Sequence, residues 1–548
     1  MKQHMKRIVA ALCFILLLYI DKVVGTESQY IWLITNNLVG VVFAIIIMSA
    51  FSYKDFLKPF YIIWSIIGVA GIVGGYEFWY AHQVNHIFAY WVTVPLNVWF
   101  LGMVVAKYVE KIFIDKSLQV KFEKWEAVFA ICSILMLLSR SDDVWPVYYL
   151  ILFLMFWHAP FSDDDKKLVF SGMLDGIIIG FLILQSYAFV VTKYITPRYR
   201  GAYGDCNRNA CMYLIVLSAV LVRLVTSNSK SKKVVLYGLL ASSIMALSLY
   251  TGCRSAFIGI IFIVGLYALI GEKLYNKIKW SRLLVRLFGL FATTLVLVPV
   301  MYFPIRYFPD YSRRIYADIG SIRTGSNGAS HYTDEYVSFE DAFGSTLLRF
   351  FTKDVENESA DEGTSMMVAS EDIDSLVINQ NPGRYTIKYT FINYPERGEL
   401  EFTAPKYLYS RLQSFNHRIN IYLVLLHNMN LFGHSGDELF VNITSDVPGA
   451  DYVPLRNEQN FVLHYLYSYG VPIGLMVCIM LLAEMAYFIK QVKARRVDGL
   501  AFLMFMTAYI CMGLMEVVWI PGQIVLVLLF VAPFFRGDIL GVDNCERT

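Results

Sequence analysis

The sequence predicts an all-α polytopic membrane protein with about fourteen transmembrane helices and one large extracytoplasmic loop, and three observations lead there. Hydrophobic residues fill 57% and charged residues 17% of the 548 positions, too little polar surface to cover a soluble core of that size. The apolar residues come in blocks of about twenty, the length a helix needs to cross a hydrocarbon layer roughly 30 Å thick. Basic loops also fall repeatedly on one side of the count.

Taken in order, the predicted spans run 8 to 20, 30 to 50, 60 to 80, 87 to 106, 126 to 139, 145 to 161, 168 to 191, 210 to 226, 234 to 251, 255 to 271, 287 to 303, 460 to 489, 500 to 516 and 519 to 535. Each closes its own backbone hydrogen bonds as a helix, which a lipid interior requires. From a cytoplasmic start at Lys2, Lys6 and Arg7, the segments with Lys54 and Lys58, Lys107 to Lys124, Lys166 and Lys167, Arg223 to Lys233, Lys273 to Arg286, and Lys490 to Arg496 all come out cytoplasmic. The first block is short and follows a basic start, as a secretory signal peptide would, but no small-residue cleavage site follows it. We read it as an uncleaved anchor; cleavage after about residue 25 would leave the remaining topology unchanged. The chain then divides into membrane helices over 1–303, a loop domain over 304–458, further membrane helices over 459–535 and a cytoplasmic tail over 536–548. Its eight cysteines are scattered and show no metal-ligand spacing, although Cys206 and Cys211 lie near the outer surface, where a disulfide is an alternative.

The loop is polar and Tyr-rich, with acidic residues running from Asp334 and Glu335 through Asp361 and Glu362 to Asp374. The stretch 354 to 374, rich in acids, Ser and Gly, has the composition of a poorly ordered segment. Between 376 and 404 the pattern becomes strand-like: Tyr385-Thr-Ile-Lys-Tyr-Thr-Phe391 and Glu399-Leu-Glu-Phe-Thr403 flank a turn from Asn393 to Gly398, a small β-element. Over 406 to 431 helical periodicity returns, with Ile419, Leu423 and Leu426 on one face, as in a helix lying on the membrane surface.

Three outward segments hold the candidates for chemistry. The first, Arg198 to Ala210, concentrates Arg198, Arg200 and Arg208 on the side that is normally depleted of positive charge. The second is Thr251-Gly-Cys-Arg-Ser255, which confines Arg254 to a very short turn. The third runs from Arg411 through His417, Arg418, His427, Gly433 and His434 to Asn460, His464 and Tyr467. Guanidinium groups make paired, charge-assisted hydrogen bonds to phosphate oxygens, so a lipid diphosphate suits such a cluster. The structural alternative for each arginine is snorkelling to headgroups or pairing with Asp205, Asp310 or Asp318.

These residues resemble the O-antigen ligase and polymerase superfamily of membrane glycosyltransferases, on four motifs. Gly201 to Ala210 is similar to the family's Gly-rich segment ending in Asn-Pro-Asn-x-x-Ala, with Asp205, Cys206, Asn207 and Ala210 in those places, so the first Asn and the Pro are replaced. Thr251 to Ala256 resembles the family's Thr/Ser-Gly-Ser-Arg-Ser/Gly-Ala turn and supplies Arg254 as its arginine. His417 to Tyr422, followed by Asn430 to Gly436, is similar to the Arg-x-x-x-Trp helix and Pro-Leu-Phe-Gly-x-Gly turn. Asn460 to Gly474 resembles His-Asn-x-x-Leu followed by Gly-x-x-Gly, with Gln459 standing where the family has its histidine.

The resemblance implies a GT-C-like fold and transfer of a glycan from undecaprenyl diphosphate to a sugar hydroxyl outside the cytoplasm, without a cofactor or metal. It implies as partners a lipid-linked oligosaccharide, membrane lipid, and flippase and chain-length regulator proteins, and no nucleic acid. Arg254, Arg418 and His464 are the catalytic candidates it points to; Arg200, Asn207, Arg208, His417, Gln459 and Asn460 are the substrate-binding ones. A departing diphosphate needs charge stabilisation, which arginines supply. An acceptor hydroxyl is helped by a base, which Gln459 cannot be. His464, one helical turn from Asn460, is a substitute, with the packed-residue reading beside it. Glu77 and Glu516, at outer helix ends, are alternatives whose plain reading is interfacial solvation. Tyr199, Tyr203, Tyr307, Tyr311, Tyr407 and Tyr409 could stack on sugars or belong to the interfacial belt.

The missing histidine and the long loop favour a polymerase of surface polysaccharide, O-antigen or capsule type, over a ligase. A lipid-linked oligosaccharide flippase is the reading from another class; its expected half-chain repeat is not evident, and Asp175 and Glu484 are the obvious deep acids.

Overall fold

The computed structural model describes residues 2–23, 29–82, 88–141, 143–194, 198–227, 232–320, 337–338, 384–405, 413–439, 441–445, 460–516, 518 and 520–536. The acidic stretch 354–374, Gln459, Tyr407, Tyr409 and most of the tail 536–548 lie outside these residues.

The described chain is mostly helical. Through the first half run α1 (Lys2–Val23), α2 (Gln29–Met48), α3 (Pro59–His82), α4 (Phe88–Val109), α5 (Lys124–Leu137), α6 (Trp145–Trp157) and α7 (Asp163–Val191). Then come α8 (Cys206–Thr226), α9 (Lys232–Tyr250), α10 (Arg254–Leu266) and α11 (Trp280–Gly320). Eight described helices are long and apolar enough to cross a membrane, among them Asp163–Val191, Cys206–Thr226 and Val471–Lys493. Of the other predicted spans, those at Lys124–Leu137, Trp145–Trp157, Val497–Gly513 and Ile524–Val531 are shorter helices. Val497–Gly513, with 17 residues, rises only about 25 Å, less than the roughly 30 Å hydrocarbon core.

The tightest helix pair is α1 against α7, and small residues explain it. Gly172, Gly176 and Gly180 lie one turn apart on α7, and α1 enters the space that side chains would fill. A Cβ at Gly172 would lie 2.3 Å from the Arg7 carbonyl oxygen, and one at Gly176 would lie 2.4 Å from that of Ala11. Without a hydrophobic drive between helices in lipid, such close backbone approach holds them through dispersion contacts. The core centres on α8, whose residues from Asn209 to Val222 are all buried.

At the end where α1 begins, ion pairs join neighbouring helices. Arg7 and Arg223 both reach Asp175, at 2.7 and 2.6 Å. Lys6 meets Asp165 at 2.7 Å, and Arg286 meets Glu272 at 2.6 Å.

Beyond α11 a small α/β unit forms from β1 (Arg384–Phe391), β2 (Leu400–Pro405), α12 (Gln413–His427) and β3 (Val441–Ser445). The sheet order is β2-β1-β3 and both pairings are antiparallel. The predicted hairpin is present, while the third strand, Val441–Ser445, was not predicted. Tyr385, Ile387, Tyr389 and Phe391 alternate along β1 and are buried with Ile421, Val424 and Leu425 of α12, as the two-residue period of a strand dictates. The predicted apolar stripe of this helix stays outside that core: Leu426 is 50% exposed, and Ile419 and Leu423 are only half-buried.

Two predicted boundaries also change. The span from 287 to 303 does not stop at the loop, because α11 continues to Gly320 through Pro299, Pro304 and Pro309. The span from 460 to 489 is two helices, α13 (Phe461–Ser468) and α14 (Val471–Lys493). Gly470 breaks it, with φ +92°, in close approach to the turn after α12. A Cβ there would lie 2.3 Å from the Leu431 carbonyl oxygen, and one on Gly433 would lie 2.1 Å from that of Ser468. Val471 N–H to Asn430 O at 3.0 Å and His434 N–H to Ser468 O at 3.2 Å close the contact. The chain ends with α15 (Val497–Gly513) and α16 (Ile524–Val531).

Candidate functional site

Two deeply packed helices, α8 and α15, deliver one site residue each at the end opposite the α1 N-terminus. Asp205 caps α8, its carboxylate accepting from the backbone N–H groups of Asn207 (2.9 Å) and Arg208 (2.8 Å). This satisfies two of the helix's otherwise unpaired donors and fixes the first turn. Gly204, in the left-handed region at φ +71°, turns the chain into that cap.

Asn207 then bridges two segments. Its amide nitrogen donates to Glu516 Oε2 at 2.8 Å, and its amide oxygen accepts from the Arg198 guanidinium. Arg198 Nε donates to the Thr251 carbonyl at 3.0 Å, which ties in the turn that carries Arg254. Arg254 itself is the first residue of α10 and is half-buried.

From the other side, Arg418 of α12 donates to Glu516 Oε1 at 2.9 Å. Glu516 lies just past the end of α15, with its side chain 14% exposed against 26% for Arg418. The carbonyl of Leu514 accepts from Asn460 (3.0 Å) and from the Tyr422 hydroxyl (3.3 Å). Asn460 also caps α13, accepting from Val462 and Leu463 N–H. Burial pushes the Glu516 carboxyl up; Arg418 and Arg198 pull it back without cancelling the rise.

Of the predicted site residues, Asn207, Arg418 and Asn460 thus meet at the segment from Leu514 to Glu516. Arg208 is drawn elsewhere: it donates to the Asp21 backbone oxygen of α1, its carboxylate partner lies 3.8 Å away, and it stacks on Tyr203. Arg200 is exposed beside this segment. His417 precedes Arg418 on α12, and its side-chain surroundings lie outside the described residues. His464 is half-buried, with Nδ1 3.3 Å from Ser468 Oγ and its ring beside Tyr465 and Tyr469. Tyr469 in turn donates to Asp143 at 2.8 Å.

Other candidates have structural work. His434 is buried between Glu438 (2.6 Å) and the Asn428 carbonyl (2.7 Å), and its ring stacks on Tyr467. His427 stacks on Phe402. Tyr199 and Tyr203 are buried, their hydroxyls near Gln185 and the Leu18 carbonyl, so they do not offer a face to a sugar. Tyr307 and Tyr311 are exposed. Glu77 is exposed on α3. Cys206 and Cys211 are free thiols, so the disulfide alternative is not realised. Among the described residues no cluster of three or more His, Cys, Asp or Glu could hold a metal.

In the sequence Arg198 is one of a cluster and Glu516 an alternative to His464 with an interfacial reading beside it; here they are the hubs. The one signal for Glu516 was an acid directly after an apolar helix. Its partner Arg418 is 98 positions away and Asn207 is 309 away, beyond what a periodic pattern relates. Chemically, among the described residues Arg198 and Arg418 meet around Asn207 and Glu516, and their guanidinium groups are able to hydrogen-bond an anion. In comparison with known proteins, no family model, curated sequence or solved structure matches the chain.

Proposed function

We propose that the protein is a polymerase of surface polysaccharide, transferring a glycan from undecaprenyl diphosphate to a sugar hydroxyl of a lipid-linked repeat unit. The observation that carries this reading is the meeting of Arg418 and Arg198 around Glu516 and Asn207 at one end of the helix bundle. Three of the four family-like motifs, at Gly201 to Ala210, His417 to Tyr422 and Asn460 to Gly474, contribute a residue to that meeting, and Arg198 ties in the fourth. Glycan transfer without a nucleotide sugar asks mainly for stabilisation of negative charge on the leaving diphosphate. Arg418, with Arg254 on the neighbouring turn, is suited to that task.

In this reading all of the predicted segments, about fourteen, cross the cell membrane in a GT-C-like arrangement. Both termini are cytoplasmic, and the site and the α/β unit face outward. The partners are the lipid-linked oligosaccharide, surrounding lipid, a flippase that delivers it and a chain-length regulator. Arg418→Ala, Arg418→Lys and Arg254→Ala test the assignment in cells that make the glycan, by chain length and by the pool of lipid-linked repeat units. Single repeat units should build up on the carrier, least for Arg418→Lys, which keeps the charge and loses the fork. If they do not build up while the variant is present in the membrane, the polymerase reading is wrong.

A further inference from the structure

Glu516 is an unusual counterion. Both of its oxygens are bound, one to Arg418 at 2.9 Å and one to Asn207 at 2.8 Å, in surroundings that leave the side chain only 14% exposed. The charged and titratable groups around it are Arg418 of α12, Arg198 and Asp205 of the segment before α8, Cys206 and Cys211 of α8, Cys253 before α10, and Tyr422 of α12. Arg418 is therefore shared between two claims. It is the guanidinium that the functional reading assigns to the diphosphate, and in the structure it is held by a carboxylate.

We infer that Glu516 accepts the proton of the acceptor hydroxyl, and that the donor's diphosphate exposes it for this by taking Arg418 away from it. The inference rests on the functional reading above and supplies the acceptor-side base that Gln459 cannot be. When Arg418 turns to phosphate, Glu516 Oε1 loses its strongest hydrogen bond, while Asn207 still holds Oε2 and keeps the carboxylate aimed. A buried carboxylate that loses a cationic partner becomes more basic. The acceptor O–H bond then breaks as its proton passes to Glu516. The acceptor oxygen forms the new bond to the anomeric carbon. The bond from that carbon to the phosphate oxygen breaks, and its electron pair leaves with undecaprenyl diphosphate. The proton on Glu516 returns to water before the next cycle. Donor binding precedes acceptor activation in this scheme.

The test uses the full-length protein in lipid nanodiscs, with undecaprenyl diphosphate as the binding probe and lipid-linked repeat units extracted from producing cells as substrate. Glu516→Gln removes the charge that competes for Arg418 and the base together. It should bind undecaprenyl diphosphate at least as tightly as the wild type while its turnover falls by about 100-fold or more. Wild-type turnover should fall as pH is lowered through the carboxyl's raised range, and Glu516→Gln should lack that acid limb. Glu516→Asp should restore the limb at a lower rate. A purely structural Glu516 predicts the opposite pairing, weaker binding and lower turnover together with an unchanged acid limb, and that result overturns the inference while leaving the polymerase reading intact. If the wild type neither binds the probe nor lengthens the glycan, both fall.

Discussion

The two ends of the helix bundle use charge in opposite ways. At the end where α1 begins, pairs join helices already in contact: Arg7 and Arg223 close on Asp175, Lys6 on Asp165, Arg286 on Glu272. At the other end, Glu516 collects Arg418 from the α/β unit and Asn207 from α8, and Asn207 collects Arg198. The first pattern fastens a fold and the second assembles a site. At one end the pairs lie between helices within the packing; at the other they tie the α/β unit to the start of α8 and to the turn before α10.

Substitutions at each end should break that contrast in different directions. The largest stability effect belongs to Asp175→Ala, which leaves Arg7 and Arg223 facing each other. Partial exposure keeps the loss near roughly 3 kcal/mol, the low end for breaking a buried pair. Thermal unfolding in detergent measures it, and the glycan made by the surviving protein should keep its chain-length distribution. Asn207→Ala should cost about 1–2 kcal/mol for the lost bonds to Glu516 and Arg198. Here chain length should collapse although the protein remains folded, the reverse of the Asp175 result. Asn460→Ala removes a helix cap and the tie to Leu514, for about 1 kcal/mol, seen as a lower unfolding midpoint.

The smallest effect is a pH dependence in the α/β unit. Burial pushes the Glu438 carboxyl up, but hydrogen bonds from Arg397 and His434 outweigh it and hold its pKa below the ordinary range. The stability it adds is complete above the unfolded carboxylate value of about 4.3 and is lost as pH falls through the lower folded value. Glu438→Gln should flatten that loss in an acid titration of the unfolding midpoint.

Much of this architecture is legible in the sequence because lipid and pleat impose short periods. The apolar blocks mark the helices, and Tyr385 to Phe391 alternates as a strand must. The break at Gly470 is less legible, since it comes from the approach of Leu431, a residue in a separate segment. On α12 the stripe of Ile419, Leu423 and Leu426 is legible as a period, but the neighbouring stripe of Ile421, Val424 and Leu425 is covered by the sheet, a partner that the helix's own sequence does not show. At the site, residue types were legible and pairings were not. Nothing local to Arg208 distinguishes it from Arg198, yet the first is drawn to Asp21 on α1 and the second to Asn207.

The claim that the end with Glu516 binds diphosphate is tested most directly by the affinity of the purified protein in nanodiscs for undecaprenyl diphosphate. Arg418→Ala is compared with Arg286→Ala, which removes an arginine from the opposite end. Loss of a charge-assisted hydrogen bond predicts binding weaker by about tenfold or more for Arg418→Ala, with Arg286→Ala binding like the wild type. Equal affinity across all three proteins would contradict the account.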